Sequence, residues 1–169
     1  MIETLSLEEA RLKLQNVVLP EIRRKERVNF DGVEVKAGLC NTCTGYNPNT
    51  RERGAIWVDT RDLSRCSVDE LEVRLAHERK HWDDLADPDI LGKPKLIAEQ
   101  RAMWEEARIH QAQGNFTEAK WLEAASADPL LAIIEYASRL IIWIPNRLSR
   151  YEHVNSFFSE PFGGTVETK

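Results

Sequence analysis

Two of the four histidines in this 169-residue chain stand four positions apart, in the run His77-Glu78-Arg79-Lys80-His81. The run matches H-E-x-x-H. On a helix, side chains four residues apart project from one face, one turn from each other, so both imidazoles can offer a nitrogen to a single ion. Glu78 sets a carboxylate beside that ion, placed to take a proton from a water that the metal acidifies. The predicted chemistry is metal-assisted hydrolysis, and zinc is the expected cofactor, since it accepts imidazole and carboxylate ligands. A catalytic zinc takes three protein ligands and keeps one position for water. The third must come from outside the run, and His110, His153 and many carboxylates are available. Glu99 is the first choice. It lies 18 residues after His81, beyond a connection at 85–94 that holds two prolines and a glycine and can turn the chain back. Ala102, one turn after Glu99, leaves room for a close helix crossing. Glu99, Ala102, Met103 and Glu106 share a face by spacing. Glu105 and Glu106 are fallback ligands.

The elements that must position these side chains can be read from local signals. Residues 6–28 read as helix, opened by Ser6 and Glu9 as a capping box and broken or bent by Pro20 at Leu19. A turn at 29–32 leads to a short alternating strand over 33–37. Residues 38–54 are crowded with Gly, Asn, Thr and Pro and read as irregular. A second strand is expected at 55–58, so the two strands look like a hairpin with a long connection. Ser67 and Glu70 form a second capping box, which opens the helix carrying the motif and ending near Asp84. Further helices are predicted from Lys95 to Gln113, over 116–127, and from an Asp128 cap and Pro129 to Ile144. A final helix is expected over 146–158, followed by a loose tail at 159–169. The fold class is therefore α+β, mainly helical, with a small N-terminal sheet and a single domain over 1–158.

HERKH at 77–81 together with EQRA at 99–102 resembles the gluzincin type of zincin metallopeptidase, in its compact form. The layout is also similar to uncharacterised bacterial or phage metallopeptidase domains. The resemblance covers residues 55–113. It implies a zincin-like fold, His77, His81 and Glu99 as zinc ligands, Glu78 as catalytic base, and a protein or peptide substrate. It further implies that the strand at 55–58 runs along the cleft and pairs with extended substrate. The chain departs from larger relatives at Met103, where they supply an acidic residue. Asp83 or Asp84 is the substitute expected to orient a ligand imidazole. No further histidine follows His81 at close range, which disfavours a three-histidine site. Tyr136, Tyr46, His110 and His153 are candidate donors to the developing oxyanion. The competing readings are a catalytically inactive zincin-like binding protein and a metal-free helical adaptor.

Composition narrows the remaining classes. At 42% hydrophobic and 30% charged, the chain reads as an ordinary globular protein. A net charge of −5 with no basic tract argues against a nucleic-acid partner. The most apolar stretch, 130–144, contains Glu135, Ser138 and Arg139 and is too short and polar for a membrane span. The N-terminal residues have no basic region followed by an apolar one. The expected location is the cytoplasm, or outside it by a route without a classical signal peptide. Three cysteines make no complete disulfide framework. Cys40 and Cys43 have C-x-x-C spacing, which reads as a loop with incidental thiols rather than a zinc knuckle. Five tryptophans are spread over separate elements and read mostly as core anchors, with Trp57 the one near the expected cleft. The run Arg51-Glu52-Arg53 reads as a solvated loop. Oligomeric state and cleavage specificity have no signal in the sequence.

Overall fold

The computed structural model describes residues 5–39, 41–47 and 52–143, the last four as backbone. The fold is α+β and mainly helical, with one small sheet in its N-terminal part. Two compact units divide the chain, Met1–Trp82 and Asp83–Lys169. No helix among the described residues is long and apolar enough to cross a membrane. The helix expected over 146–158, the tail at 159–169, His153 and Cys40 lie outside the described residues, and the expected domain over 1–158 extends beyond them.

The first unit opens with α1 (Leu7–Lys13), capped by the predicted Ser6–Glu9 box. A π-helical turn at Leu14–Val18 joins it to α2 (Leu19–Lys25). Of the break or bend expected at Pro20, the break does not occur, and helix continues through it. Pro20 lacks an N–H and would crowd the carbonyl one turn back, and the wider π turn just before it relieves both problems. Ala10, Leu14, Val18 and Ile22 bury one stripe of this helical run.

The sheet holds β1 (Val35–Gly38), β2 (Cys43–Asn47) and β3 (Glu52–Asp59) in the order β1-β3-β2. This corrects the sequence reading in three places. β2 lies inside the stretch expected to be irregular. β1 and β3 are parallel, with Val35 opposite Ile56, so they are not the two arms of a hairpin. The hairpin is β2–β3, antiparallel, with a register shift between Thr44 and Tyr46. Glu52 and Arg53, expected in a solvated loop, belong to β3. Gly45 and Gly54 face each other so closely across the pair that a Cβ on Gly54 would stand 3.3 Å from the Gly45 backbone. Ile56 and Val58 of β3 are fully buried.

Asp59 caps α3 (Thr60–Arg65), its side chain accepting from the Arg61 N–H at 2.8 Å. The motif helix α4 (Val68–Asp84) begins at the second predicted box. There Ser67 N–H donates to Glu70 Oε2 at 2.7 Å and Glu70 N–H donates to Ser67 Oγ at 3.2 Å. Leu71 and Leu75 are fully buried, and so is Glu72, which receives Arg27 through two bonds of 2.9 and 3.0 Å.

The second unit packs α5 (Lys95–Ala112), α6 (Phe116–Ala127) and α7 (Pro129–Trp143). Met103, Ala107, Leu122, Ala125 and Ala132 form its core, with Leu96, Leu131 and Tyr136 against it. Gly114, in the turn between α5 and α6, has φ of +82°, a conformation that costs glycine little. Asp128 accepts from the Leu130 N–H at 2.8 Å, the cap expected before Pro129. Arg139 ties α7 to α5 through two 2.7 Å bonds to Glu106. The four tryptophans whose side chains are described are not fully buried core anchors: Trp57 and Trp82 are half-buried, and Trp104 and Trp121 are exposed.

Candidate metal centre

Helical spacing does at 77–81 what the sequence predicts. The Nε2 atoms of His77 and His81 lie 2.9 Å apart, with the rings edge to face at 84°. Two nitrogens on a tetrahedral zinc, each about 2.0–2.1 Å from the ion, stand about 3.3 Å apart. The two imidazoles are therefore within a few tenths of an ångström of a chelating pair. His81 is buried and His77 half-buried, which shields such a pair from bulk water.

Glu78 is held by a residue that the sequence did not flag. Thr44 Oγ1, on β2, lies 2.9 Å from Glu78 Oε2 and 2.8 Å from the Glu78 carbonyl oxygen. A hydroxyl has one proton, so it donates to one of the two at a time. Either bond anchors the start of the motif to the sheet. The C-T-G-Y pattern at 43–46 has no apolar alternation from which this role could have been read.

His77 and His81 belong to the first unit and Glu99 to the second. Two imidazole nitrogens and one carboxylate oxygen make a donor set that suits zinc and disfavours magnesium or calcium, which take oxygen ligands. Glu99 is half-buried on α5.

The other named residues have different surroundings. Glu105 pairs with Arg108 at 2.8 Å, and Glu106 is the buried partner of Arg139, so both fallback ligands are committed to ion pairs. Asp84, at the end of α4, receives Arg101 Nε on both carboxylate oxygens, at 3.1 and 3.0 Å. His110 lies at the last turn of α5, where its Nδ1 is 3.5 Å from the Asn115 amide. Burial pushes the Tyr136 phenol up to about 12, and the Glu99 carboxylate adds to the rise, so Tyr136 keeps its proton at neutral pH. Cys43 and Cys66 are free thiols, and burial pushes the Cys66 pKa up.

The strand expected to border the cleft needs correction. Residues 55–58 belong to β3, which is the central strand, with β1 on one side and β2 on the other. Its backbone groups are engaged in the sheet and cannot take up another chain. Among the described residues the edge next to Glu78 is β2. In comparisons with known proteins, no family model matches the chain, and neither does any curated protein or solved structure.

Proposed function

We propose that this protein is a zinc-dependent metallopeptidase of the compact gluzincin type, with His77, His81 and Glu99 as ligands and Glu78 as general base. The observation that carries the reading is the convergence of the two imidazole Nε2 atoms on one point of α4, next to a carboxylate held in place by Thr44. When bound, zinc supplies a water of lowered pKa and polarises a carbonyl oxygen. Glu78 accepts a proton at its carboxylate and returns it to the departing amine nitrogen. Thr44 limits the directions the carboxylate can take, which keeps the proton acceptor in place. Among the described residues β2 is an edge strand of the sheet, and an extended peptide can add to such an edge through its own N–H and C=O groups. A peptide is accordingly the substrate class that suits the site.

The test combines metal analysis with peptide cleavage. Wild-type protein binds one equivalent of zinc, and His77→Ala and Glu99→Ala lose it. Glu78→Gln keeps the metal and cleaves peptides about 10²–10⁴-fold more slowly. A Glu99→Ala protein that binds zinc as tightly as wild type removes Glu99 from the ligand set. A zinc-loaded Glu78→Gln protein at full rate removes Glu78 as base. Zinc at one equivalent with no peptide cleaved favours a zincin-like binding protein.

A further inference from the structure

The second unit carries a ladder of matched contacts along α5 and α7. Arg139 on α7 bonds twice to Glu106 on α5, each time at 2.7 Å. One turn back on α7, Tyr136 is half-buried against the cluster that holds Met103, itself one turn back from Glu106 on α5. Both steps are three residues long, about 4.5 Å along a helix. They run towards the N-termini of both helices, so α7 lies along α5 in the same direction. The next residue on this face of α5 is Glu99, about 6 Å before Met103 along the axis. Helical side chains lean towards the helix N-terminus. Tyr136 therefore extends from the level of Met103 towards Glu99, and the carboxylate is close enough to raise the pKa of the phenol.

The two groups suit each other chemically. A phenol carries one O–H donor and is protonated at neutral pH even with its ordinary pKa. A carboxylate accepts only, at about four lone-pair positions, and a metal ion leaves some of them open. The side chains of Ala102 and Met103, one turn beyond Glu99 on α5, offer no donor. Half-burial strengthens a hydrogen bond that does form. His110, another candidate donor, stands at the last turn of α5, about 16 Å along the axis from Glu99.

We propose that Tyr136 is a positioning residue for Glu99: its phenol O–H donates to the carboxylate and fixes the rotation at which one carboxylate oxygen faces the metal. The proposal rests on Glu99 being a zinc ligand, as the peptidase reading has it. Tyr136 acts through Glu99 and does not touch the ion. Groups that orient a metal ligand in this way are worth about 10–100-fold in metal affinity.

The test measures zinc affinity of the full chain by competition with a chromogenic chelator. Tyr136→Phe keeps the ring that packs against the cluster and removes only the donor. It binds zinc about 10–100-fold more weakly than wild type. Melting curves without metal establish that each variant folds. In a Glu99→Ala background, where the two imidazoles remain, Tyr136→Phe causes no further loss, the mark of coupling between the two side chains. Cobalt in place of zinc gives a spectroscopic readout, since its visible absorption follows ligand geometry, and the spectrum differs between wild type and Tyr136→Phe. Unchanged affinity and cobalt spectrum in folded Tyr136→Phe overturn the proposal, and so does an equal loss with and without Glu99. A wild type that binds no zinc, or no more tightly than Glu99→Ala, overturns it together with the ligand set. The peptidase reading fails separately. Zinc bound with the Tyr136–Glu99 coupling intact and no peptide cleaved leaves the positioning role standing. Peptide cleavage with undiminished zinc affinity in Tyr136→Phe removes that role alone.

Discussion

Asp62 shows how an individual side chain reports on its surroundings. It is nearly inaccessible on α3, and burial raises its pKa above the ordinary aspartate value. The Thr42 hydroxyl at 2.6 Å and Arg74 at 3.5 Å pull it back down without cancelling the rise. The folded state therefore holds this proton more tightly than the unfolded chain. The folded form that it favours is complete below the ordinary aspartate range, and stability falls as pH rises through that range to the folded pKa. Asp62→Asn removes this term. The variant should gain on wild type as pH rises from 3, and the gap should level off once wild-type Asp62 is ionised. Urea unfolding at a series of pH values checks it, and a pH-independent gap would show that burial does not govern this carboxyl. At the candidate metal centre, residue identity and spacing were enough to single out His77, His81 and Glu78 as candidates. They gave no sign of Thr44, because the contact with Glu78 spans 34 positions of sequence.

Elements are where local signals were most legible. The motif helix begins at Ser67 and Glu70 as predicted, since a capping box is decided within four residues. The two histidines depend on that helix for their common face. Ser67→Ala should cost about 1 kcal/mol of stability, the usual effect of losing an N-cap. Chemical denaturation measures it, and an unchanged midpoint would mean that the first turn of α4 frays without consequence. The strands were less legible. β2 has no alternation of aliphatic residues, and its half-buried positions are Cys43, Thr44, Gly45 and Tyr46. Backbone pairing with β3 makes it a strand. The alternation in β1 and β3 was readable, but a period of two residues is the same in parallel and antiparallel pairs, so direction was not. The π turn before Pro20 is similar: the sequence marks where the helix is disturbed, and packing of Leu14 and Val18 decides that it continues.

For the whole molecule, metal binding should be a stability term. A ligand that binds only the folded state adds about 2.7 kcal/mol when its free concentration is 100 times its dissociation constant. In a chain of this size that corresponds to a rise of about 5–10 °C in the melting temperature of the transition containing α4. Zinc should produce that rise in wild type, excess chelator should abolish it, and His77→Ala should not respond. Scanning calorimetry with and without zinc checks the expectation. A wild-type melting curve indifferent to zinc would count against a folded-state metal site.

The division between what could be read early and what could not follows the range of the forces involved. Helix periodicity, caps and turn residues act over three to five positions, so the sequence by itself determined the motif helix, its shared histidine face, the helices of the second unit and the mainly helical α+β class. Strand order, strand direction and long-range side-chain contacts depend on which distant segments pack together. Tertiary structure alone decided that β3 is central and β2 is the edge, that Thr44 holds Glu78, and that Arg53 crosses 29 positions to stack on Trp82. Non-local pairing is set by burial and backbone hydrogen bonding summed over the whole fold, which no short window of sequence contains.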